Sequence, residues 1–193
     1  MTQFDLARYA GWSAYLSAAA TILGIATLLA FFTRGEPFGT WNDILSIVIA
    51  LSMIVILFEL DRLHRPVAPA VSLTVLSIGV IALLIAVVFQ ALLIVKVIVF
   101  AQTAVIVPLA FGVFGAALMI YSYFSLANQL LPGRLAILGL IAGAGYVLVI
   151  TGLILNPEGE HFLATIGGLI TVIGYPAWAI WFGRLLLTGR VGV

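Results

Sequence analysis

The sequence predicts an all-α fold, a polytopic membrane helical bundle of about six transmembrane helices with both termini on the cytoplasmic side. Three observations carry that expectation. Hydrophobic residues make up 64% of the chain and charged residues 8%, against roughly 45–50% and 25% in an ordinary soluble domain. Charge is absent from Ile44 to Phe58, from Val67 to Val95 and from Leu135 to Leu155, and such runs reach or approach the roughly 20 apolar residues that cross a hydrocarbon core. The arginines, finally, gather on alternate sides of these runs.

Taken in chain order, the first helix covers residues 12–33. The apolar run that contains it continues past Phe31 and is followed by no Ala-x-Ala-like site, so it reads as a retained membrane helix and not as a cleaved signal peptide. Arg34-Gly35-Glu36-Pro37 ends it, and the second helix covers 41–60, up to Arg62-Leu63-His64-Arg65-Pro66. The third covers 69–94. From Val67 to Ala127 only Gln90, Lys96, Gln102 and Pro108 interrupt the apolar run. A single helix of about 60 residues would be about 90 Å long, three times the core thickness, so the chain must turn back. Lys96 is the expected turning point, with Val95 to Gln102 forming either a tight turn or a short interfacial helix. The fourth helix covers 103–127, the fifth 134–155 after Leu131-Pro132-Gly133-Arg134, and the sixth 162–187 after Asn156-Pro157-Glu158-Gly159-Glu160-His161. Residues 1–193 read as a single transmembrane domain.

Orientation follows from counting cations. With the N-terminus inside, that side collects Arg8, Arg62, Arg65, Arg134, Arg184 and Arg190, and the other holds Arg34 and Lys96, the bias of a positive-inside arrangement. Tyr9, Trp12, Tyr121, Tyr123, Trp178 and Trp181 fall near the inner interface and Trp41 near the outer, where amphipathic rings anchor helices. Small residues at spacings of four, Ser13/Ser17/Thr21, Gly112/Ala116, Gly139/Gly143 and Ala164/Gly168, mark faces where helix backbones approach closely. Pro108 and Pro176 lie inside expected helices and are candidate hinges that kink or locally unwind them.

The chemistry available is narrow. The chain has no cysteine, which removes disulfides, thiolate metal sites and thiol nucleophiles. A net charge of +1 without a basic run excludes a nucleic-acid partner. The two histidines, His64 and His161, fall in loops on opposite sides of the membrane and cannot share a metal or haem. Glu158-Gly159-Glu160-His161 has the residue types of a weak cation site, but a solvated loop beside a helix N-terminus accounts for the same letters, and neither metal nor cofactor is expected. The densest polar cluster is Glu59, Asp61, Arg62, His64 and Arg65 at the inner interface. It reads either as an interfacial anchor with local ion pairs or as a docking or lipid-headgroup site. Ser52, Tyr146 and Thr171 are the candidate mid-membrane polar groups, placed to hydrogen-bond between helices or to line a modest cavity.

The ending Gly174-Tyr175-Pro176-Ala177-Trp178-Ala179-Ile180-Trp181-Phe182-Gly183-Arg184-Leu185-Leu186-Leu187 resembles that of small bacterial multi-pass membrane proteins grouped as a domain of unknown function. Gln90-Ala91-Leu92-Leu93 and Pro132-Gly133-Arg134-Leu135, followed by a glycine-rich helix, resemble them too. The resemblance covers the second two-thirds of the chain. It implies a protein of the prokaryotic cytoplasmic membrane and transfers no catalytic residue. The expectation for function is a non-enzymatic module that binds a lipid or another membrane protein, as an accessory or sensory subunit, with membrane lipids and another membrane protein or a second copy as partners. The alternatives are a transporter or channel for a small neutral or apolar solute and, third, a lipid-acting enzyme using Glu59, Asp61 or His64 as acid or base.

Overall fold

A computed structural model describes residues 3–156 and 160–189 and is helical throughout, apart from short turns. The elements are α1 (Gln3–Arg34), α2 (Phe38–His64), α3 (Pro69–Ile94), the short α4 (Phe100–Thr103), α5 (Ile106–Asn128), α6 (Gly133–Leu155) and α7 (Phe162–Leu187). Among the described residues six spans, with α4 and α5 together forming one, are long and apolar enough to cross a bilayer. The fold is that of an integral membrane helical bundle. Large apolar side chains such as Phe32, Leu29, Ile173 and Leu169 point outward, where an aqueous protein would carry charge.

The helices form a closed ring in the order α1, α2, α3, α5, α6, α7 and back to α1, and α2 also touches α5 across the centre. The start of α1 lies against the end of α7, since a Cβ on Gly11 would meet the Leu187 side chain at 2.8 Å and the Gly183 carbonyl oxygen at 3.2 Å. The start of α1 and the end of α7 therefore occupy one face, called here the terminal face.

Three boundaries differ from the sequence expectation, each for a local reason. Helix α1 begins at Gln3, well before residue 12, because Asp5 in its first turn complements the helix dipole and Ala7 and Ala10 pack on the core. Helix α2 runs on to His64 and not to residue 60, because Glu59, Asp61 and His64 turn inward and find partners there. The expected fourth helix is split at Ala104 and Val105. Pro108 accordingly stands in the first turn of α5, where its missing N–H forfeits no intrahelical bond, and the unwinding falls just before it.

The chain reverses at Lys96. That residue takes the left-handed conformation, φ 60°, while Val97 N–H donates to Leu92 O at 2.9 Å and Lys96 N–H donates to Leu93 O at 2.9 Å. This is the paired-bond termination that usually recruits glycine. The apolar residues after it, Val97, Val99 and Phe100, are exposed, placing the turn and α4 at headgroup level.

Helix contacts in lipid gain nothing from excluding water, so they depend on close approach and interhelical hydrogen bonds. Both are present, in different places. On α1, Ala10, Ala14, Ser17, Ala18 and Thr21 form the buried face, and Tyr175 Oη of α7 donates to Ser17 Oγ at 2.9 Å. Helix α6 is seated by glycines instead. A Cβ on Gly115 would come within 2.7 Å of the Gly143 carbonyl oxygen, and one on Gly167 within 2.7 Å of the Gly145 carbonyl oxygen. Of the small residues expected at close approaches, Gly112 meets Ile150, Ala164 meets Gly152, Gly139 meets Ser122 and Gly143 meets Gly115; Gly115 and Gly167 take the places expected of Ala116 and Gly168, and Gly168 has nothing within 4 Å of a Cβ. Replacing Gly115 by Val should lower stability by about 1–3 kcal/mol through overpacking, measured by thermal unfolding in detergent micelles. Gly168→Ala should leave the same transition unmoved.

Candidate functional site

The two halves of the bundle are built differently. Toward the terminal face the interior is solid. Tyr175 stacks on Trp178 with ring centroids 6.2 Å apart, and Trp178 on Phe182 at 4.9 Å. Above them Tyr175 meets Phe114 and Tyr146 edge-on at 5.8 and 5.7 Å, so an aromatic column fills the axis. Tyr121 and Trp178, expected in an interfacial belt, are 1% and 0% exposed and belong to this packed interior. Tyr9, Trp12, Tyr123 and Trp181 do reach the surface there, as does Trp41 near the opposite face.

The polar cluster lies at this closed end. Arg62 donates to both Glu59 carboxylate oxygens at 2.8 and 2.6 Å, and Arg65 pairs with Asp61 at 2.5 Å. The other Asp61 oxygen accepts from Ser72 Oγ of α3 at 2.8 Å, and the Ser72 carbonyl accepts from Tyr121 Oη of α5 at 2.9 Å. His64 Nδ1 lies 2.6 Å from the Leu60 carbonyl, which can only accept, so that nitrogen carries the proton. Nε2 of the neutral ring then accepts from Ser125 Oγ at 2.8 Å. Glu59, Asp61, His64 and Ser125 are all buried, leaving Arg62 and Arg65 as the partly exposed members. These bonds tie α2, α3 and α5 together. A shallow groove beside Arg62, Arg65 and Pro66 opens on the terminal face.

Toward the opposite face the axis is empty. A cavity of about 340 Å³ lies there, not enclosed, and all six spans contribute to its wall, a size at the lower end of the about 300–1,000 Å³ typical of ligand pockets. Most of the lining is apolar, as at Ile25, Leu28, Val107, Phe111 and Val172. The polar residues in the wall are Thr21, Asn42, Asp43, Ser46, Gln90, Thr103, Tyr146 and Thr171. Two of them carry buried atoms without a hydrogen-bond partner, Gln90 Oε1 and Thr171 Oγ1. Such atoms are rare in folded proteins because each forfeits its hydration. Ser122 Oγ and Trp178 Nε1 share that condition but face Gly139 in the solid half, and Thr171 Oγ1 likewise lies against Gly145 of α6, which leaves Gln90 Oε1 as the unpaired atom not seated on a glycine.

Of the polar groups expected inside the membrane, Tyr146 and Thr171 line the cavity, whereas Ser52 is buried and takes no part in its wall. Pro108 lies on the cavity wall, and Pro176 is buried within α7 beside the aromatic column. Asp43 and Gln90 were not singled out from the sequence as site residues. Gln90 had left a trace as a lone amide in a run of apolar residues. Asp43 had been absorbed into the start of a helix, and only the ring closure turns it toward the axis. In the loop between α6 and α7 Glu158 lies outside the described residues, and His161 caps α7 by accepting from Leu163 N–H at 3.2 Å. Among the described residues no cluster of three acidic or imidazole side chains is placed to hold a metal.

The fold and its cavity define a six-span integral membrane protein with a half-depth internal pocket. Comparison with protein families, with curated proteins and with solved structures finds no match, so the residues themselves carry the functional reading.

The His64–Ser125 link should be measurable. In a double-mutant cycle of His64→Leu and Ser125→Ala, a coupling of about 0.5–2 kcal/mol is expected in detergent unfolding. Strict additivity would show that the bond contributes nothing to holding α2 on α5.

Proposed function

We propose that the protein is a non-enzymatic binding module of the cytoplasmic membrane that holds a small, largely apolar molecule in the cavity between its six spans. The observation that carries this reading is the cavity itself, bordered by all six spans, with Gln90, whose Oε1 has no hydrogen-bond partner, on its mostly apolar wall. Rotation of that amide would present it to a hydrogen-bond donor on a ligand. Glu59, Asp61 and His64 are occupied with Arg62, Arg65, Ser72 and Ser125 and lie outside the cavity wall, which favours binding over acid–base catalysis. The break between α4 and α5 at the cavity wall favours a second reading, in which the same pocket is one state of a transporter for such a solute.

The arginine bias supports a cytoplasmic terminal face: Arg8, Arg62, Arg65, Arg134 and Arg184 belong to it, against Arg34 and Lys96 on the other. The cavity then faces outward. The chain has no native cysteine to interfere, so Val97→Cys should react with an impermeant maleimide in intact cells, and Asn128→Cys only after permeabilisation. The reverse pattern would invert the orientation.

For the pocket itself, native mass spectrometry of wild-type protein in mild detergent should show a retained small mass. Gly168→Leu, which projects into the cavity where a Cβ meets nothing within 4 Å, should lose it. A wild type free of adducts in several lipid backgrounds would overturn the reading.

A further inference from the structure

The cavity is electrically one-sided. Asp43 is the carboxylate in its wall, and no lysine, arginine or histidine lines it. Both ion pairs found among the described residues, Glu59–Arg62 and Asp61–Arg65, lie at the closed end, so Asp43 takes part in neither. Arg34 and Lys96, the cations of the open face, are exposed and outside the wall. Glu36, on the same face, adds negative charge and is itself engaged by Thr40, whose N–H and Oγ1 donate to it at 3.3 and 3.0 Å.

An unpaired acceptor points the same way. Gln90, on the cavity wall, is 6% exposed, and its Oε1 has no donor. Two aromatic rings, Phe111 and Tyr146, lie roughly parallel at 6.3 Å and both border the cavity, offering flat apolar surface. A carboxylate, an orphaned acceptor and aromatic surface in an apolar pocket together select a molecule with a donor-rich positive head and an apolar body.

We propose that the ligand class is a small amphipathic amine, bound as its ammonium with the charge at Asp43, a donor to Gln90, and the apolar part against Phe111 and Tyr146. This rests on the cavity being a binding site and adds the charge and donor pattern of what it takes.

The test uses the full chain in lipid nanodiscs and two probes of equal size, 2-phenylethylamine and the neutral 2-phenylethanol, titrated by calorimetry. The amine should bind about tenfold tighter or better. Asp43→Asn, nearly isosteric at a partly buried position, should abolish that preference while leaving the alcohol unchanged, and Asp43→Glu should retain it. Gln90→Leu should weaken the amine several-fold. Equal binding of both probes by wild type, blocked by Gly168→Leu and indifferent to Asp43→Asn, would overturn the ammonium assignment and leave the binding site standing. Binding of neither probe would overturn both.

Discussion

The hydrogen-bonded knot of Asp61, Ser72, Tyr121, His64 and Ser125 fixes the closed end of the bundle, and the form of the interior follows from it. In hydrocarbon, an unpaired polar group has no water to fall back on, and helices gain little by hiding apolar surface from apolar lipid. The knot draws α2, α3 and α5 to one point, bringing α2 across the centre to touch α5. Its salt-bridged members, Arg62 and Arg65, reach from the buried carboxylates toward the headgroups, the expected behaviour of long cationic side chains at a membrane boundary. With one end pinned across the middle, the ring stands apart at the other, and the cavity is the space left between.

Two kinds of attraction close the ring. Hydrogen bonds between side chains and neighbouring helices join α2, α3 and α5, and α7 to α1. Helix α6 is seated between α5 and α7 by backbone proximity at Gly115, Gly143, Gly145 and Gly167. This division explains the glycine richness of α6 without appeal to flexibility. Each hydrogen there admits a neighbouring helix to a distance that even an alanine methyl would prevent. Where no helix approaches, at Gly168, the same residue type leaves open space.

The spans and their even number were legible because the cost of polar groups in hydrocarbon leaves long charge-free runs, and the need to reverse near Lys96 followed from length alone. The interior was far less legible. Glu59, Asp61 and His64 stand beside Arg62 and Arg65 in sequence, but the burial of Asp61 and His64 depends on partners at Ser72 and Ser125 on other helices. Gly115 and Gly167 were missed in favour of neighbours that share a simple spacing, since a rotation of about 100° per residue decides which glycine faces which helix. Asp43 lay hidden for the same reason. A carboxylate near a helix start looks like surface until the ring order shows that this side of α2 faces the axis.

The aromatic column beneath the cavity has an electrical consequence. A bundle with an opening along its whole length would shunt ions and collapse the potential that a membrane maintains. Here the stack of Tyr146, Phe114, Tyr175, Trp178 and Phe182 occupies the axis with rings rather than water. Ions find no path along an axis filled this way through the terminal half of a core about 30 Å thick, so a bundle that is open at one end still leaves the membrane's potential intact.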